Sequence, residues 1–142
     1  IVQTEDYLML NIEWMHWSRI IRIDDKQHMP ATLATYDGDS IGWWEGDTLV
    51  VETINFMDQP HQPADRKVIE RFRPNNGGGL VYSFKVEDAD YTDSYSGEMV
   101  WPNSDQANYE YACHEGNHSM AGTLAGARVR EREHREQNDS ED

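Results

Sequence analysis

The run Tyr109-Glu110-Tyr111-Ala112-Cys113-His114-Glu115-Gly116-Asn117-His118 holds the single cysteine of the chain and two of its six histidines. Such a run could support three kinds of chemistry. A thiolate beside an imidazole is a nucleophile, provided that exposure and a cationic neighbour lower its pKa. His114 and His118 stand four residues apart with Glu115 between them, the spacing that on a helix turns two imidazoles toward one zinc ion. Asn117-His118-Ser119 fits the acceptor triplet for N-linked glycosylation, as does Asn138-Asp139-Ser140, which makes Asn117 a candidate modification site. The local sequence weakens each reading. Glycine is costly inside a helix, and asparagine caps better than it propagates, so Gly116 and Asn117 predict a strand-to-helix corner at which the two histidines need not converge. On a strand, Cys113 continues the stripe of Tyr109 and Tyr111 while His114 points to the other face, so Cys113 reads as a small buried hydrophobe.

A second group is spread over loops. His16, His28 and His61 lie near Asp24, Asp25, Asp37, Asp39, Asp58 and Asp65. Neutral imidazole with carboxylate suits a divalent ion or acid-base work if the fold gathers the groups at one mouth. Dispersed surface carboxylates are the plainer reading. Five tryptophans, Trp14, Trp17, Trp43, Trp44 and Trp101, suggest stacking on a ligand. Adjacent Trp43 and Trp44 must point to opposite faces of a strand, so one closes the core while the other is free to line a surface. The candidate binding residues are therefore Trp17, Trp43, Trp44, His28 and His61, and the candidate metal ligands are His114 and His118. No cofactor is implied by any motif.

The elements that must hold these groups read mostly with period two. In "YLMLNIEW", Leu8, Leu10, Ile12 and Trp14 share a face, and "SRIIRID" repeats the pattern through Ile21 and Ile23. "IGWWEGDTLVVETINF" predicts a hairpin in which Glu45-Gly46-Asp47 is the turn and Gly46 supplies positive φ. "KVIERF" and "LVYSFKV" flank Arg73-Pro74-Asn75-Asn76-Gly77-Gly78-Gly79, which proline and glycine predict to be a turn. "SYSGEMVW" and "NYEYACH" read as a last pair. Seven or eight strands at regular spacing predict a mainly β fold, an antiparallel barrel-like or sandwich-like sheet. After Asn117 the period changes: Met120, Leu124 and Ala127 fall at helical spacing, so a C-terminal helix ends the fold. We expect one domain over residues 1–130 and a charged, frayed or disordered tail over 131–142.

Three of these segments carry a resemblance. Gly42 to Val51, Ile69 to Phe72 and Tyr109 to Asn117 resemble a family of uncharacterised, mostly secreted bacterial proteins. Those proteins carry a Gly-x-Trp-Glu-Gly-Asp-Thr-Leu-Val-Val hairpin and a Tyr-Glu-Tyr-x-Cys-His-Glu-Gly-Asn segment. The sequence departs from that pattern at Trp43, where arginine is expected, and in the charged tail. The resemblance implies an extracytoplasmic location, periplasmic or secreted. It implies no reaction, so no functional residue is carried over from it.

Charge limits the partners. The formal net charge is −15 and the mean hydropathy −0.85, a balance that repels phosphate backbones and anionic lipid surfaces. Nucleic acid is excluded, and so is membrane insertion by a helix, because no apolar run approaches ~18 residues. A lone cysteine cannot form an intramolecular disulfide. Three functions remain. The first is a non-catalytic binding or structural module that contacts a small molecule, a glycan or another copy of itself. The second is an enzyme, a lyase, isomerase or hydrolase, with loop His and Asp/Glu as acid and base. The third is a filament subunit, a homo-oligomer or polymer assembling through unpaired strand edges.

Overall fold

A computed structural model describes residues 1–14, 17–25, 27–107, 109, 111 and 118–139. It falls into two units, Ile1–Tyr109 and Glu110–Asp142. The first is a single curled sheet, a half-barrel of eight strands in chain order: β1 (Val2–Gln3), β2 (Tyr7–Ile12), β3 (Trp17–Ile23), β4 (Asp39–Glu45), β5 (Thr48–Ile54), β6 (Lys67–Pro74), β7 (Leu80–Glu87) and β8 (Tyr95–Trp101). The expected mainly β architecture is therefore present, and β1 is an edge strand that the sequence pattern had not marked.

Register turns the alternation into two faces. Leu8 pairs with Ile21, Leu49 with Phe72 and Phe72 with Tyr82, so these side chains share the inner face. There Leu8, Leu10, Ile21, Leu49, Val51 and Phe72 form the buried core, with Ile23 and Tyr82 packed against it. Trp101 extends this layer, stacking on Tyr82 with ring centroids 4.6 Å apart. Val50 and Ile41 are buried on the outer face. The Glu45-Gly46-Asp47 turn forms as expected, with Gly46 at φ 65° joining β4 to β5.

One pair departs from antiparallel order. β3 and β4 run parallel, with Ile21 opposite Ser40 and Ile23 opposite Gly42. Parallel neighbours cannot be joined by a tight hairpin. The chain therefore crosses over through residues 24–38, by way of a short 3-10 turn at Ala31–Leu33. This crossover carries His28 and Asp37, two of the loop residues singled out above.

In the second unit, α1 spans Ser119–Asp139 and runs on through much of the charged segment. Met120, Leu124 and Val129 are exposed on it. Among the described residues no helix is long and apolar enough to cross a membrane. The strand expected over 108–114 lies, apart from Tyr109 and Tyr111, outside the described residues. So do Cys113, His114 and Asn117.

Candidate functional site

The inner face has a polar island in its apolar layer. Arg19 on β3 shares that face with Ile21, and Glu70 on β6 shares it with Phe72. Two strands separate β3 from β6, and strands lie ~4.8 Å apart, so only a curled sheet lets the guanidinium reach the carboxylate. Arg19 Nη2 donates to Glu70 Oε2 at 2.5 Å and to Thr53 Oγ1 at 2.7 Å, and Nε donates to Ser40 Oγ at 3.0 Å. Tyr82 donates its hydroxyl to Glu70 Oε1 at 2.9 Å. The Arg19 and Glu70 side chains are only 17% and 7% exposed. Burial, together with the Glu70 charge, pushes the Tyr82 phenol far above its usual range, so it stays a neutral donor. A buried ion pair is rarely the most stable filling of a core, since apolar side chains of the same volume do as well or better. Its presence here invites a functional reading.

The island floors a cleft of about 250 Å³ at one end of the inner face. Arg19, Glu70, Thr53 and Val68 lie at its base, and Trp17, Tyr36 and Phe56 line it. Asp37, also in the lining, accepts the Trp17 indole N–H at 2.6 Å. Tyr36 and Asp37 come from the end of the crossover, which the chain fastens at several points. The Thr35 amide donates to the Asn55 carbonyl and the Met57 amide to the Thr35 carbonyl, while Gln62 Nε2 holds the Tyr36 carbonyl at 2.8 Å. Gly38 makes this approach feasible. Its φ is +69°, and a Cβ there would lie 2.6 Å from the Ile54 carbonyl oxygen and 3.1 Å from the Phe56 ring.

A second cavity of about 200 Å³ opens at the opposite end of the inner face, lined by Trp44, Leu8, Leu49, Phe72 and Leu80. It is mainly apolar, with Gln3 and Asp47 as the polar side chains of its lining.

The outer face has its own polar network, and its function is to anchor the crossover. Asp39 on β4 accepts from Arg22 Nη2 at 2.9 Å and from the Met29 amide at 2.8 Å, and faces His28 Nδ1 at 2.8 Å. His28 Nε2 faces Glu52 at 3.2 Å, and Glu52 pairs with Lys67 at 2.5 Å. Arg22 also pairs with Asp25. Burial pushes the Asp39 carboxyl up, but the Met29 amide, His28 and Arg22 together hold it below its ordinary value. Lys67 holds Glu52 low against the same opposing burial, with His28 assisting.

Comparison with protein-family models, with curated proteins and with solved structures finds no match to this chain. The candidate residues separate accordingly. Trp17 lines the inner cleft and Trp44 the apolar cavity. Trp43 points outward, its indole donating to Glu45 at 3.1 Å. His28 is built into the outer anchor. His61, exposed at φ 66°, precedes Gln62 but is not in the cleft lining. His28 and His61 thus lie outside the Trp17 cleft. His118 is exposed beside the first turn of α1, its carbonyl accepting the Gly122 amide, while its proposed partner His114 lies outside the described residues. Among the described residues no three His, Cys, Asp or Glu side chains are placed to hold a metal ion.

Of the residues that line the cleft, the sequence singled out Trp17 as a binding candidate and Asp37 as one of the loop carboxylates. Arg19 and Glu70 did leave a readable mark, because each interrupts an apolar stripe: Arg19 below Ile21 and Ile23, Glu70 between Val68 and Phe72. Tyr36 and Phe56 left none, since only the crossover and the β5–β6 loop bring them to Trp17.

Proposed function

We propose that this chain is a non-catalytic binding module, acting outside the cytoplasm, that takes a small molecule into the inner-face cleft. The observation that carries the proposal is the buried Arg19–Glu70 pair, backed by Tyr82, in the lining of an opening with three aromatic side chains. Ligand sites are typically apolar clefts with a few fixed polar groups, and here the polar groups are buried and held in place by hydrogen bonds to one another. The histidines support a binding role over acid-base chemistry, because His28 is engaged with the carboxylates that anchor the crossover. The extracytoplasmic location rests on the resemblance of the Gly42–Val51 and Tyr109–Asn117 segments.

The test is thermal stabilisation and tryptophan fluorescence with a panel of small polar, aromatic, saccharide and amine compounds. Compounds that stabilise the protein should lose their effect in V68F, which fills the cleft, and keep it in L80W, which fills the apolar cavity. Retention in V68F with loss in L80W would move the site to the other end, and a panel without any hit would remove the reading.

A second reading, a self-assembling subunit, is favoured by the edge of the sheet. β8 is seven residues long and pairs with β7 alone among the described strands, with Tyr95, Met99, Val100 and Trp101 exposed. An unprotected edge of that length accepts another strand. Sedimentation of the purified chain checks this: a monomer at high concentration counts against it.

A further inference from the structure

Three aromatic side chains from separate parts of the chain line the cleft: Trp17 opens β3, Tyr36 ends the crossover and Phe56 follows β5. Among the described ring contacts these three do not stack on one another. The Trp17 indole N–H is engaged by Asp37, which leaves its π face as what it can offer. Two carboxylates, Asp37 and Glu70, line the space against one guanidinium, and Arg19 is already turned to Ser40, Thr53 and Glu70. The lining therefore carries one formal negative charge, within a chain of net charge −15. Electron-rich ring faces with nearby carboxylates attract a cation whose charge is diffuse and weakly hydrated, as in an alkylated ammonium. An anion meets the wrong charge. A saccharide needs free donors and acceptors, whereas the polar side chains at the floor are engaged with each other. About 250 Å³ falls just below the ~300–1,000 Å³ of sites for drug-sized ligands, which limits the guest to a few heavy atoms.

We propose that the cleft selects a small organic cation of the methylated-ammonium class, seated against Trp17, Tyr36 and Phe56 with Asp37 as counter-charge. This rests on the reading of the cleft as the binding site. The probes are choline, tetramethylammonium and 3,3-dimethylbutan-1-ol, the uncharged carbon isostere of choline, titrated by calorimetry and tryptophan fluorescence. Choline should bind at least tenfold more tightly than the isostere, and its affinity should fall as salt rises. W17A and Y36A should each weaken choline by about tenfold. Tyr36 is 64% exposed and Trp17 43%, so Y36A should hold its melting temperature, and the melting temperature of each variant serves as the control for folding. D37N retains an oxygen for the indole and removes the charge, so it should weaken choline and leave the isostere unchanged. Equal affinity for choline and the isostere, with both lost in V68F, would overturn the cation proposal and leave the cleft as a binding site. No binding by either cation also overturns it, and the broader panel then decides whether the cleft reading falls too.

Discussion

Glu70 carries two obligations, since it accepts from Arg19 through one oxygen and from Tyr82 through the other. Y82F removes one donor from a carboxylate that is 7% exposed, and an unsatisfied buried acceptor costs about 1–3 kcal/mol. Urea unfolding of Y82F should show a loss of that size. Gly38 is a second point of high leverage. In G38A a residue with a Cβ must hold φ +69° and push against the Ile54 carbonyl, so backbone strain and overpacking together should cost about 2–4 kcal/mol. Asp39 governs the response to acid. Its folded pKa is lowered, so the ionised form favours the fold. Its contribution is complete above the unfolded value near 3.8 and is lost as pH falls through the lower folded value. Denaturation measured from pH 6 to pH 2 should show that limb, and D39N should flatten it.

At the scale of elements, the crossover and the β5–β6 loop matter because they cover the sheet where a hairpin would have left it bare. The parallel β3–β4 pair forces the chain to travel through residues 24–38, and the journey delivers Tyr36 and Asp37 to the cleft. The β5–β6 loop supplies Phe56 and Gln62, and is pinned by Arg66, whose Nε pairs with Asp88 at 2.9 Å and whose Nη2 holds the His61 carbonyl. The Asp88 side chain is fully buried. R66A therefore leaves a buried carboxylate without its cation, a change that costs about 3–5 kcal/mol. Limited proteolysis should then cut between residues 57 and 66, sites that resist cleavage in the unaltered protein.

For the whole molecule, acidity and sheet edge oppose each other. Two chains of net charge −15 repel, while β8 offers a ladder that can be extended. Screening shortens the repulsion from ~30 Å at 0.01 M salt to ~8 Å at 0.15 M. If β8 mediates assembly, sedimentation should show more dimer at the higher salt. Binding of an organic cation should move the other way, weakening as salt rises, so one salt series separates the two behaviours.

Residue order alone determined the strands and most of the faces. Leu8, Leu10, Ile21, Leu49, Val51 and Phe72 alternate with more polar residues or sit in β-branched runs, and side-chain period two needs only local geometry to become a sheet with one buried side. The Gly46 turn was legible for the same reason, because a positive φ is a property of one residue. Arg19 and Glu70 could be read as intruders on that side, but not as partners. Only the tertiary structure paired them, since their contact depends on how far the sheet curls across β4 and β5. It also decided that β3 and β4 run parallel, that His28 anchors the outer face while Trp17 lines the inner one, and that Tyr36 and Phe56 line one cleft. Contacts between residues 20 to 50 positions apart follow from curvature and crossover, and no local pattern of residues encodes either.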